Sequence, residues 1–533
     1  MSKKKTKPAR QTKPKMASQV VSANQQNPLA AVLKSDSIYD YILISLTIAY
    51  FLFYFFKLFS SLENTFFWAD ENVHAYISSV ILKTHSIPAV LPDDIYGGFK
   101  YSYPPFFHIL SALVMAIGGF PALKFTNFIL LILFLIGFYF LIRKFYGTSE
   151  ALLACLMISL SPTIAINSVR FMTEMLSMVL IFLSFIFLAA ALKKANPVYA
   201  IISGLATGLL LLSKQLGIVV LGFYFLLLIW FFLKHKEDVR LVLYVIGTSA
   251  CIFIPYFIWA VYNEIEVFGF LSIFFGTKAE WATAAVKSFR RYDSSIKEFA
   301  YLFYNGNGIV ISAAFLLPIY HFIRSRAKDR PQNYIFIMTV YLAVVMIVWH
   351  ITNPRHTITL LPLITVLFGY AVRQVITSKI AIRAIIVCLL IIAGYFAFQM
   401  PNYRKRFNAP GEFIELNQII QKDNASSGKT LVVHWFDTLM YSGKPVIWPI
   451  SDLRTIPIDL FEKQSSDKLY DLLMHYNIDY ILIDMRYVKP YDKFIGRNYP
   501  FVFVRNCETL EKQGKVRLQA LSSSKMFILL KVS

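Results

Sequence analysis

Tyr103-Pro104-Pro105-Phe106-Phe107-His108, continuing apolar to Gly119, is the run whose reading decides the architecture. A helix needs about 20 apolar residues to cross a bilayer, and this run is at the short end of that range. Eleven other runs are long and apolar enough: 38–60, 122–142, 150–167, 172–192, 197–213, 216–233, 240–262, 308–324, 334–350, 357–373 and 380–398. Charge settles the status of 103–119, because Lys and Arg near span ends concentrate on the cytosolic side. If 103–119 does not cross, Arg143-Lys144, Lys193-Lys194, Lys234 with Lys236, Arg324 with Arg326, Lys328 and Arg330, and Arg373 with Lys379 and Arg383 all share the side of the basic N-terminal tail. If it crosses, every one of them moves to the opposite side. The pattern therefore predicts eleven spans, with 103–119 a juxtamembrane or re-entrant helix in the first external loop.

The composition agrees. Of 533 residues, 57% are hydrophobic, 16% aromatic and 16% charged, which is the balance of a polytopic membrane protein. The net charge of +22 would suggest nucleic acid in a soluble chain. Here much of the positive charge lies in the first 16 residues and in short loops between apolar runs, so nucleic-acid binding is not expected. Residues 1–35 read as a disordered basic cytosolic tail, since no apolar segment follows until about Ile38. Cys155, Cys251 and Cys388 fall inside apolar runs and Cys507 outside, a spacing that builds neither a disulfide framework nor a metal site.

Eleven spans place a set of polar clusters together on the external side. Directly after the first span come Trp68-Ala69-Asp70-Glu71-Asn72-Val73-His74. Asp70 and His74 are four apart and share a helix face, with Glu71 beside them. Tyr103-Pro104-Pro105 makes an extended entry into the following helix, because each proline restricts the residue before it. Ser168-Val169-Arg170-Phe171-Met172-Thr173-Glu174 opens a span, and the i,i+4 spacing allows Arg170 and Glu174 to neutralise each other. A carboxylate at membrane depth is costly and is usually functional. Ser213-Lys214-Gln215 puts a cation on the side where cations are disfavoured, which suits an anionic partner. Asn353-Pro354-Arg355-His356-Thr357 adds an arginine able to grip a phosphate bidentately or to snorkel.

After about residue 400 the chain changes character. Strands are predicted at 430–435, 480–484, 501–504 and 526–530, with a helix at 467–476. The expected organisation is therefore a tail (1–35), a transmembrane domain (36–400) and a small extracytoplasmic α/β domain (401–533). Asn424-Ala425-Ser426 in the latter is a glycosylation sequon.

Taken in order, Trp68-Ala69-Asp70-Glu71, Tyr103-Pro104-Pro105, Arg170…Glu174, Ser213-Lys214-Gln215 and Arg355-His356…Pro362 resemble the GT-C fold. These are membrane glycosyltransferases that use polyprenyl-phosphate sugars. The likeness is to the protein O-mannosyltransferase and aminoarabinose-transferase branch, described also as dolichyl-phosphate-mannose–protein mannosyltransferase-like, and it covers about residues 38–400. It implies an inverting transfer in which Asp70 is the general base toward an acceptor hydroxyl. Glu71, His74, Tyr103, Arg170 and Glu174 would line the acceptor and sugar pocket, and Lys214, Arg355 and His356 would bind the lipid phosphate. The family often has Asp where Glu174 stands. The implied partners are a polyprenyl-phosphate-linked sugar, an acceptor glycan, lipid or protein, and the bilayer. Asp70, Glu71, His74 and Glu174 have ligand chemistry for a divalent metal, but their spacing forces none.

Two rival readings remain. A transporter or flippase of lipid-linked saccharides would place its polar residues in mid-span, whereas these cluster at span ends. A non-catalytic scaffold would simply present the C-terminal domain. A prokaryotic plasma membrane is preferred to the endoplasmic reticulum.

Overall fold

A computed structural model of the chain describes residues 37–62, 70–90, 103–214, 216–234, 236, 238–265, 296–325, 330–348, 354–401, 411–423, 427–433, 446–447, 466–484, 499–523 and 527–533. The basic tail, the sequon at 424–426 and Trp435 lie outside the described residues.

Among the described residues, eight helices are long and apolar enough to cross a membrane, from Ile38–Ser60 to Lys379–Gln399. A ninth candidate is the pair Thr148–Ser159 and Pro162–Ser168, bent by 73°. The break has a local cause. Pro162 has no N–H to continue the first helix, and Ser161 Oγ accepts from Ile164 N at 3.2 Å, which starts a new helix there. Shorter apolar helices at Pro197–Leu211 and Asn333–Ile347 fall on two further expected spans, and Phe106–Gly118 falls on the run read as juxtamembrane. The protein is a multi-pass α-helical membrane protein.

Burial ranks the helices. In Glu174–Lys194, 78% of the apolar stretch is buried, and in Pro354–Val375, 72%; the other long helices range from 22% to 44%. These two segments belong to the bundle core, together with the helix Thr148–Ser159, whose residues 150–159 are all buried. Pro197–Leu211 packs against Val239–Tyr262 at close range through Gly204 and Gly208. A Cβ on Gly204 would lie 2.6 Å from the Val245 carbonyl oxygen, and one on Gly208 would lie 2.8 Å from Ile252 Cβ. Where the first and last long helices begin, Arg383 bonds Asp40 at 3.1 Å and Ser37 Oγ at 2.6 Å, tying their N-termini together.

The C-terminal region is a five-stranded sheet in the order β2-β1-β3-β5-β4, formed by β1 Lys429–Val433, β2 Val446–Ile447, β3 Ile478–Asp484, β4 Leu518–Ser523 and β5 Phe527–Val532. β1 pairs in parallel with β2 and β3, and β5 pairs antiparallel with β3 and β4. Period-two alternation gives the sheet two buried faces. Ile481 and Ile483 pack with Leu469, Leu472, Phe503 and Leu510, and Tyr480 and Leu482 pack with Phe413, Leu416 and Ile420. The sheet thus lies between the Gly411–Lys422 helix and the helices Ser466–His475 and Tyr499–Lys512.

One element differs from the sequence reading. Phe501-Val502-Phe503-Val504 belongs to the helix Tyr499–Lys512, not to a strand. The four apolar residues fit a buried strand, but Phe503, Cys507 and Leu510 continue at helical spacing and are all buried. Phe503 is fully buried, so Phe503→Ala is expected to destabilise this region by about 3–5 kcal/mol, read from denaturant unfolding followed by circular dichroism.

Candidate active site

The first arm of the site begins on the helix Asp70–Thr84. Glu71, His74, Ala75 and Ser78 share one buried face at helical spacing, and Ile77, Val80 and Ile81 are buried too. Asp70 is the first residue of this helix, and its side chain lies outside the described residues. Arg170 Nε donates to Glu71 Oε1 at 2.7 Å, and both side chains are about nine-tenths or more buried. Arg170 reaches Glu71 because its segment is not helical. The buried Asn127 amide donates to the carbonyls of Arg170 and Met172 at 2.6 and 2.8 Å, claiming acceptors in the turn ahead of Glu174.

His74 Nδ1 and His108 Nε2 are 2.9 Å apart and buried, so one ring donates and the other accepts. Burial, reinforced by the neighbouring His74, holds the His108 imidazole well below its ordinary value and therefore neutral. Tyr103 and Phe107 stack edge-on to His74 at ring distances of 5.4 and 5.6 Å, and Phe107 meets Phe171 at 5.1 Å. The Tyr103-Pro104-Pro105 entry is thereby set against the residue next to Arg170. Phe106 N also donates to the Leu212 carbonyl at 2.6 Å, which ties this entry to the turn that carries Lys214.

The second arm surrounds Glu174, the first residue of the core helix Glu174–Lys194. Its Oε1 lies 2.9 Å from Lys214 Nζ, 3.3 Å from Arg355 Nε and 3.7 Å from His356 Nδ1, and the residue is buried. Lys214 is delivered by a tight turn in which its N–H bonds the Leu210 carbonyl at 2.9 Å and its own carbonyl accepts from Gly217 N at 3.0 Å. Arg355 and His356 come from the 3-10 turn Pro354–Leu360 that opens the other core helix.

Buried polar groups fix that turn. Asn307 donates to Thr357 Oγ1 at 3.0 Å and accepts from Ser161 Oγ at 2.8 Å, while Thr357 Oγ1 donates to the Pro354 carbonyl at 2.7 Å. Thr163 Oγ1 donates to the Gly306 carbonyl at 2.5 Å. Gly306 has no room for a side chain, since a Cβ would come within 2.8 Å of Pro354 Cβ and of Thr163 Oγ1. Thr357→Val removes an acceptor and a donor from this buried set, and is expected to cost about 1–3 kcal/mol, measured as a lowered unfolding temperature in detergent.

Of the residues singled out from sequence, Glu174, Lys214, Arg355 and His356 converge on one carboxylate. Glu71, His74, Tyr103 and Arg170 form the adjoining arm, across the segment 171–173. The expected Arg170–Glu174 pairing is corrected: Arg170 binds Glu71 and Glu174 faces Lys214, because 169–173 is not helical and i,i+4 spacing puts nothing on one face there. Sequence reasoning missed Asn127, His108 and Asn307. The signal was a buried-depth polar residue inside an apolar run, which Asn127 and Asn307 both supply. For a divalent metal, no group of three or more His, Cys, Asp or Glu side chains converges among the described residues. Glu71 is engaged by a guanidinium and Glu174 by an ammonium, so these donors do not fit a cation.

Comparison with known proteins agrees with this architecture. The family model for dolichyl-phosphate-mannose-protein mannosyltransferase matches residues 102–259, a stretch that contains Tyr103, Arg170, Glu174 and Lys214. No match is found among curated protein sequences. The fold is similar to the crystal structure of ArnT from Cupriavidus metallidurans bound to undecaprenyl phosphate, at 13% identity and a TM-score of 0.64, over 93% of this chain and 98% of that one. It is also similar to the archaeal oligosaccharyltransferase AglB from Archaeoglobus fulgidus in complex with an inhibitory peptide and a dolichol-phosphate, at 14% identity and a TM-score of 0.56, over 84% of this chain and 69% of that one. The chain is a multi-pass membrane protein with the GT-C glycosyltransferase fold, similar to ArnT along most of its length and to the dolichyl-phosphate-mannose-protein mannosyltransferases over residues 102–259.

Proposed function

We propose that the protein is an inverting glycosyltransferase that moves a sugar from a polyprenyl-phosphate donor to an acceptor hydroxyl on the extracytoplasmic side of the membrane. The observation that carries this reading is the convergence of Lys214, Arg355 and His356 at one end of the bundle core, next to Glu71 of the helix that starts at Asp70 and the Arg170 that binds it. Lys214 and Arg355 bring two cations to the place where a lipid phosphate would lie. The lipid phosphates bound by ArnT and AglB are of the class such a site would take.

In this mechanism Asp70 accepts the proton of the acceptor hydroxyl as its oxygen attacks the anomeric carbon, and the lipid phosphate leaves from the opposite face. Lys214 and Arg355 offset the charge that grows on the departing phosphate, with His356 beside them. Glu71 is held by Arg170 and orients the acceptor or Asp70. His74 and Tyr103 belong to the wall of the acceptor pocket, and Arg170 and Glu174 shape the sugar pocket. No step is routed through a metal. The basic N-terminal tail suits a cytosolic N-terminus with the C-terminal domain outside, in a prokaryotic plasma membrane in preference to the endoplasmic reticulum.

The test is mass spectrometry of surface glycans, lipids and proteins from cells lacking this protein. Loss of one hexose or pentose from one acceptor class, restored by the wild-type gene and not by Lys214→Gln, is expected. Unchanged glycans alongside misplaced lipid-linked saccharide would favour the flippase reading.

A further inference from the structure

A buried hydroxyl in a span is ordinarily satisfied by its own helix, as Thr47 is by the Leu43 carbonyl at 2.7 Å and Thr339 by the Ile335 carbonyl at 2.7 Å. Ser184 and Ser203 bond across helices instead. Ser203 Oγ donates to the Ser184 carbonyl at 2.6 Å, and Thr207 Oγ1 donates to the Ser203 carbonyl at 2.9 Å. The Thr207 proton is thereby used, so Ser184 is the donor in the 2.7 Å contact between Ser184 Oγ and Thr207 Oγ1. The Ser184 proton is then used too, and the Tyr224 hydroxyl donates to Ser184 Oγ. All four side chains are fully buried.

One residue of the core helix Glu174–Lys194 therefore holds both legs of the hairpin formed by Pro197–Leu211 and Leu216–Lys234. Lys214 stands at the apex of that hairpin, where Gly217 comes so close that a Cβ on it would lie 2.6 Å from Leu211 N. Along the helices, Ser184 is about 15 Å from Glu174, and Thr207 is about 10 Å from Lys214. The difference is within the reach of a lysine side chain, and Lys214 Nζ meets Glu174 Oε1 at 2.9 Å. Apolar side chains alone discriminate poorly between helix registers, and a single buried polar contact fixes them. We propose that Ser184, Thr207 and Tyr224 form a register pin that positions Lys214 for the lipid phosphate from about 15 Å away. This rests on the reading of Lys214 as a phosphate ligand. Without the pin, Ser184 turns back to its own helix and the apex is free to shift along the core.

The experiment is binding of a polyprenyl monophosphate to the full-length protein in nanodiscs. Thr207→Val keeps the shape of the side chain and removes the hydroxyl, whereas Thr207→Ser keeps the hydroxyl and removes a methyl. Thr207→Val is expected to weaken binding about tenfold, the loss of one well-placed charged contact. Tyr224→Phe, which frees one leg, is expected to weaken it less, and Thr207→Ser to bind as the wild type does. In a Lys214→Gln background, already weakened, Thr207→Val is expected to add nothing, because it acts through the contact that is gone. Unfolding temperatures are expected to change little, since hydrogen bonds between helices in a bilayer contribute little to stability. If Thr207→Val does not fold, Tyr224→Phe carries the same comparison. Wild-type binding by the folded variant, a loss that Thr207→Ser shares, or a loss that persists in full in the Lys214→Gln background would overturn the inference. If Lys214→Gln alone leaves binding unchanged, the reading of a phosphate site fails, and the inference with it.

Discussion

Asp70→Asn is expected to lower the turnover of sugar transfer by about 100- to 10,000-fold, the contribution of a positioned general base, while binding of the lipid phosphate is retained. The expectation follows from placement. Asp70 opens the helix whose buried face carries Glu71 and His74, and Glu71 is fixed by Arg170 in the turn that precedes Glu174. The asparagine keeps size and hydrogen-bonding shape and removes the ability to take a proton. Single-turnover kinetics on the reconstituted protein separate the two effects. Equal loss of binding and turnover would assign Asp70 to donor binding, and unchanged turnover would remove it from the chemistry.

The second large effect falls on stability. Glu71 and Arg170 form an ion pair at 2.7 Å with both side chains largely buried. Breaking such a pair leaves an uncompensated buried charge, so Arg170→Met is expected to destabilise the protein by about 3–5 kcal/mol. The double variant with Glu71→Gln should recover a good part of that loss, because neither remaining group is charged. Thermal unfolding in detergent of the two single variants and the double variant gives the coupling. Additive losses would mean that the pair contributes nothing beyond its separate side chains.

Much of the fold was legible because membrane spans have strong one-dimensional signals. Length and apolarity mark the helices, while the reading of 103–119 as juxtamembrane rests on the placement of Lys and Arg. The 73° break at Ser161-Pro162 was less visible, since a capped serine before a proline inside an apolar run reads as continuous hydropathy. The C-terminal region was harder. Phe501–Val504 is a short apolar run whose period becomes helical only when Cys507 and Leu510 are included. The site was legible as a list of residues and not as a set of pairs. Arg170 and Glu174 looked like partners on a helix, but the Asn127 amide holds the intervening turn in another conformation. Asn307, which braces the turn carrying Arg355, is distant in sequence from every residue it bonds except Phe303, so only the fold brings it to Thr357 and Ser161.

The most direct measurement uses purified protein in proteoliposomes charged with a polyprenyl phosphate carrying a labelled sugar, together with acceptor material from the source membrane. The expected result is loss of label from the lipid, its appearance on an acceptor with the opposite anomeric configuration, and no such transfer by Asp70→Asn. Movement of the intact labelled lipid between leaflets, with the sugar still attached and no transfer, would contradict it.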